Sequence, residues 1–142
     1  MRPSQSRLAA AAALGATLLL AACSSSPTVE FINPAVVEDV PDGAIPNITL
    51  TEDAVERLAI ETVTVEAAGD GFVVPSAAVL ITTDGNYWVY TNPEPRVYRR
   101  HEIKPVVEED LQAFFADGPE VGTSVVVAGV PELYGTEYGI GK

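Results

Sequence analysis

The stretch Ala78-Val79-Leu80-Ile81-Thr82-Thr83-Asp84-Gly85-Asn86-Tyr87-Trp88-Val89-Tyr90 reads as strand, turn and strand. Apolar and β-branched residues run into Asp84-Gly85-Asn86, a strong hairpin signal, because Asp, Gly and Asn accept the positive φ that tight β-turns require. Tyr87-Trp88-Val89-Tyr90 then reads as the returning strand, since aromatic and β-branched side chains pack well on a pleated surface. The same punctuation continues outward. Upstream, Phe72-Val73-Val74 reads as a strand and Gly69-Asp70-Gly71 as a break, with Ile60 to Glu66 alternating at period two before it. Downstream, Asn92-Pro93-Glu94-Pro95 reads as a turn and Val97 to Val107 as a long strand. Leu111 to Phe115 fits a short strand or a helical turn, Asp117-Gly118-Pro119 turns again, and Ser124 to Ala128 closes the series.

One segment breaks the β pattern. Thr51-Glu52-Asp53-Ala54 has a capping hydroxyl followed by acids in the first turn, and Ala54, Val55, Leu58 and Ala59 fall on one helical face. Many short strands plus this helix predict a mainly β fold, a small antiparallel β-barrel or roll carrying one short α-helix, over residues 48–142. Trp88 and Phe114 are expected in its core.

Composition narrows the function. The 142 residues hold 8 Lys and Arg against 20 Asp and Glu, a formal charge of −12. That balance argues against nucleic-acid binding, which rests on neutralising phosphates with bases. One Cys allows neither an internal disulfide nor a Cys-cluster metal site. A zinc site built on the single His, His101, would need three carboxylates, so no metal or other cofactor is expected.

The first residues read as an address. Arg2 and Arg7 give a positive start, Leu8 to Ala22 is uncharged, and the run is too short for a spanning helix. It ends in Leu20-Ala21-Ala22-Cys23, which resembles the lipobox of bacterial lipoproteins. The resemblance implies cleavage before Cys23 and acylation of Cys23 with palmitate-type chains. Residues 1–22 are then a lipoprotein signal peptide, and their loss makes the −12 charge two units more negative. Two or more acyl chains hold a protein stably on a bilayer. Residues 23–47 carry Pro27, Pro34, Pro41 and Pro46 among acids and are expected to form a lipidated, mostly disordered tether, in which Val36-Val37 or Phe31-Ile32 could still dock locally.

Four segments carry a second resemblance. They are Val74-Pro75-Ser76-Ala77-Ala78-Val79-Leu80, Tyr87-Trp88-Val89-Tyr90, Val97-Tyr98-Arg99-Arg100 and Gly118-Pro119-Glu120-Val121-Gly122-Thr123-Ser124-Val125-Val126-Val127-Ala128-Gly129. In that order they resemble the membrane-proximal domain of the periplasmic adaptor (membrane fusion) proteins of RND efflux pumps. Residues 48–66 are similar to the start of the folded part of heavy-metal-type adaptors. Asp117-Gly118-Pro119 and Thr123 depart from the family pattern. The family's barrel, lipoyl-like and hairpin domains are absent between these segments, where Gly69-Asp70-Gly71 joins them directly. The resemblance implies a domain that packs against a membrane pump.

Two constellations are candidates for contact. Arg96, Arg99, Arg100 and Lys104 gather on one strand around His101, and could meet an acidic partner or simply form a solvated strand that relieves charge repulsion. Strand alternation puts Val97, Arg99, His101 and Ile103 on one side, so an inward Arg99 would need a bulge or a carboxylate. Tyr134 and Tyr138 lie in a Gly-rich tail and could anchor a partner or fold back on the domain. The expected function is a lipid-anchored, non-enzymatic interaction module on the extracytoplasmic face of the cell membrane, associated with a transport or efflux permease. The alternative is a lipoprotein that binds a small ligand or a metal ion, favoured if a pocket opens inside the roll.

Overall fold

The computed structural model describes residues 32–140. Cys23, the signal peptide and the first part of the tether lie outside the described residues. The fold is mainly β, one curled antiparallel half-barrel sheet. The strands are β1 (Ala35–Val37), β2 (Ile48–Leu50), β3 (Glu61–Thr64), β4 (Glu66–Ala68), β5 (Gly71–Pro75), β6 (Leu80–Ile81), β7 (Tyr87–Glu94), β8 (Val97–Glu109), β9 (Gln112–Asp117) and β10 (Ser124–Ala128). Helix α1 (Glu52–Arg57) forms where the sequence predicts it, with the Thr51 hydroxyl accepting the Ala54 N–H at 3.2 Å.

The strand path is β3-β10-β7-β8-β9-β5-β4, with β2 also on β8, β1 on β2 and β6 on β7. Its two ends, β3 and β4, are separated by Val65 alone. Val65 N–H donates to Thr123 O and its carbonyl accepts from Gly122 N–H, both at 2.9 Å, so the sheet curls back toward its own beginning. The long β8 makes the curl possible. Its first part pairs with β7 (Thr91↔Arg99 to Tyr87↔Ile103), and its second part pairs with β9 (Lys104↔Asp117 to Glu109↔Gln112).

Cross-strand partners share a face, so the register sorts the apolar residues into two cores. Val65, Val74, Val89, Ile103, Phe115 and Val125 fill the inside of the curl. Ile48, Leu50, Tyr90, Tyr98 and Val126 lie on the opposite face of the sheet, under α1 and a second helix, α2 (Val130–Glu137). Each fully buried Val, Leu or Ile contributes about 1.5–3 kcal/mol relative to exposure.

The structure corrects several sequence expectations. The folded region starts upstream of Ile48: β1 forms inside the stretch read as tether and pairs with β2 through Val36↔Thr49. The residues Ile60 to Glu66 divide at Val65 into β3 and β4. Of Leu111 to Phe115, residues 112–115 resolve as strand, in β9, and Leu111 belongs to the turn before it. Phe114 is not core. Its neighbour Phe115 is 4% exposed inside the curl, whereas Phe114 is 36% exposed on the outside. At Asn92–Pro95, β7 continues through an irregularity to Glu94, held by Asn92 Nδ2 donating to Glu94 O (2.7 Å) and Val97 O (2.8 Å).

The C-terminal segment is not a tail but α2, a second helix beyond the one expected. Gly129 precedes it with φ +85, and a Cβ there would run into Ile60 Cδ1 and sit 3.3 Å from Leu58 O. Chain reversal into α2 therefore depends on glycine twice, for its backbone angle and for its lack of a side chain. Gly129→Ala should destabilise the domain by about 2 kcal/mol or more from the left-handed conformation and the clash together. Urea denaturation measures this, and Gly85→Ala, at an open hairpin position with φ +84, should cost less.

Candidate functional site

Arg100 occupies the helix-covered face of β8, beside Tyr90, its cross-strand partner in β7. Its side chain is 7% exposed and pairs with Glu137, itself 5% exposed, at the end of α2. The guanidinium grips the carboxylate as a fork: Nη2 lies 2.7 Å from Oε1, and Nε donates to Oε1 and Oε2 at 2.9 and 2.8 Å. Tyr90 OH donates to Oε2 at 2.6 Å, and Arg100 Nη2 donates to Tyr138 OH at 3.1 Å. Rings enclose the cation. Its Cζ sits 4.6 Å from the Trp88 ring centroid and 5.7 Å from those of Tyr134 and Tyr138.

A buried ion pair is favourable only when its desolvation is offset by good geometry and satisfied polar atoms. Both conditions hold here: no buried side-chain nitrogen or oxygen among the described residues lacks a partner. Burial opposes the Arg100 charge, yet the hydrogen bonds and charge of Glu137 outweigh it and raise its pKa above the ordinary value. Tyr90 is pushed far above its ordinary 10.0, first by burial and then by Glu137. Burial also raises Tyr98. These residues fasten α2 to the sheet.

The remaining candidates lie elsewhere. Arg99 points to the opposite face, where it is exposed and has no carboxylate within ion-pair distance among the described residues. Arg96 is exposed at the β7–β8 turn with φ +66, and its carbonyl accepts from Leu50 N–H at 2.9 Å. Lys104 is 61% exposed and pairs with Glu102 at 3.3 Å, a surface contact of little energetic weight. Tyr134 packs against the helix-side core, and Tyr138 keeps 57% exposure while its hydroxyl meets Arg100. The basic strand is therefore split: Arg100 joins Tyr134 and Tyr138 in the helix lock, and Arg99 and His101 share the other face.

That other face is open around Arg99. Val36, Thr49, Thr91, Val97 and Arg99, with Glu38 and Glu94 among the remaining wall residues, line a groove of about 580 Å³. The register explains its chemistry. Val36↔Thr49, Thr49↔Val97 and Thr91↔Arg99 place these residues on one surface, continuous with Val89 and Ile103 inside the curl. The groove lies where that face emerges from the curl, and one base and two acids give it mixed charge. The sequence pointed to the Arg99 side of the groove and left docking of Val36-Val37 open, but it missed Glu38 and Asn47, because they sit in a Pro-punctuated stretch. The short apolar run Ala35-Val36-Val37 before Glu38 was the available signal.

Among the described residues no cluster of three or more His, Cys, Asp or Glu could hold a metal ion, and no helix is long and apolar enough to cross a membrane. Comparison with known proteins found no matching family model, no matching curated protein and no matching solved structure.

Two outcomes check the lock. Glu137→Ala leaves the Arg100 charge buried without its partner and should destabilise the domain by about 3–5 kcal/mol in urea denaturation. For pH, the folded state holds Tyr90 and Tyr98 neutral at values where the unfolded chain ionises them. Their contribution is whole below about pH 10 and is lost progressively above it. The urea midpoint measured against pH should accordingly show a fall beginning near that value, weaker in Tyr90→Phe.

Proposed function

We propose that this chain is a lipid-anchored, non-enzymatic interaction module on the extracytoplasmic face of the membrane, associated with a transport or efflux complex. The observation that carries this reading is the open sheet face around Arg99. An uncovered groove with an unpaired guanidinium on a rigid β scaffold is suited to a macromolecular contact. The sequence supplies the context. Leu20-Ala21-Ala22-Cys23 supports anchoring, and the adaptor-like segments coincide with β5, β7, β8 and β10 of one sheet.

The second reading is a small-ligand or metal-ion lipoprotein. The inside of the curl is packed with Val89, Ile103, Phe115 and Val125. Space of ligand size lies instead in the external groove, whose roughly 580 Å³ falls in the range of about 300–1,000 Å³ common for small-molecule sites.

Two experiments test the first reading. Cys23→Ala should abolish labelling by palmitate and release the protein from the membrane fraction. Purification of the full chain from detergent-solubilised membranes should co-purify a permease, and Arg99→Glu should reduce that recovery about tenfold without shifting the melting temperature. Failure of the wild-type chain to retain any transporter component contradicts the reading. Calorimetric binding of a small compound that Arg99→Glu abolishes would favour the second.

A further inference from the structure

The β8–β9 hairpin turns through Asp110-Leu111, both with positive φ (51° and 63°). A two-residue hairpin of this kind favours Asn or Asp followed by Gly, because L side chains resist the left-handed region. Asp110 suits its position; Leu111 does not. Ser76 N–H donates to Leu111 O at 2.9 Å, which holds the backbone there, yet the Leu111 side chain is 85% exposed. Neither the turn nor the packing of the described residues accounts for a leucine at that point.

Leu111 has apolar company. The register aligns Glu66↔Val73, Val73↔Phe114 and Phe114↔Val107 across the outer face of β4, β5, β9 and β8. Val107 is 62% exposed and Phe114 36%, so this row meets solvent. The charged residues that the register places on this face are Glu66 and Glu109, and Asp110 stands at the turn. All three are acidic.

We infer that this outer face, centred on Leu111, Phe114 and Val107, is a docking surface for a protein whose apolar contact area is bordered by Lys and Arg. Exposed leucine at a strained turn is explained when a partner buries it. The acidic border selects the partner's charge, because like charges across an interface oppose association. The same border disfavours an anionic lipid surface. This surface is separate from the Arg99 groove, and the inference does not depend on the transport reading.

Site-specific photocrosslinking of the full chain in its native cells tests it. Val107→benzoylphenylalanine and Phe114→benzoylphenylalanine should each give an adduct with the same protein, mapped by mass spectrometry to an apolar residue beside Lys or Arg. Thr83→benzoylphenylalanine, at the exposed β6–β7 turn, should give none. Adding Glu66→Lys and Glu109→Lys should reduce the adduct about fivefold or more with the melting temperature retained. Leu111→Asn relieves the turn, so it should melt no lower than the wild type while the adduct at Val107 falls. No adduct, adducts only with lipid or a second copy of the chain, equal adducts at Thr83, or adducts indifferent to charge reversal or to Leu111→Asn would overturn the inference.

Discussion

A charge buried within a β-sheet face organises the fold. Arg100 sits 7% exposed with a carboxylate in its fork and three aromatic rings around it. Left alone, a guanidinium there would cost several kcal/mol. Glu137 offsets that cost only if α2 is docked, and α2 has eight residues, too few to be stable by itself in water. The helix needs the sheet and the buried arginine needs the helix. Their mutual requirement places Val130 and Leu133 over Tyr90, Tyr98 and Val126 and completes the helix-side core.

This pairing also divides the surface. Side chains alternate along β8, so committing Arg100 to the helix side commits Arg99 and His101 to the other. A slip of one residue would bury Arg99 and expose Arg100. The ion pair thus acts as a register key: one arginine becomes structural, and its neighbour becomes the single base of an open groove. Tyr134 and Tyr138 belong to the structural side, although Tyr138 remains more than half exposed.

The strand pattern was legible from 71 onward because Gly, Pro and Asp-Gly-Asn punctuate it and most residues between them are β-branched or aromatic. Thr51 and the acids behind it announced α1. Three features escaped, each for a physical reason. Helix α2 was hidden because Gly135 lowers helix propensity and Glu137 puts a charge where an apolar residue would continue the Val130-Leu133-Tyr134 face. Its partner lies 37 residues away, beyond any local pattern. Strand β1 was hidden because three residues among prolines carry little periodicity, and their order comes from pairing with β2. Phe114 and Phe115 differ only by parity, which the register fixes and composition does not. For the candidate site, the alternation rule put Arg99, His101 and Ile103 together, but the arginine that is buried against a carboxylate is Arg100, on the face the sequence reading did not single out.

Arg100 and Glu137 act as one unit to hold α2 on the sheet. A double-mutant cycle over Arg100→Met and Glu137→Leu, read by urea denaturation at neutral pH, tests it most directly. Both single variants should be strongly destabilised and the double variant should recover much of the loss, with a coupling energy of at least about 2 kcal/mol. Additive effects, with coupling within about 0.5 kcal/mol, would contradict it.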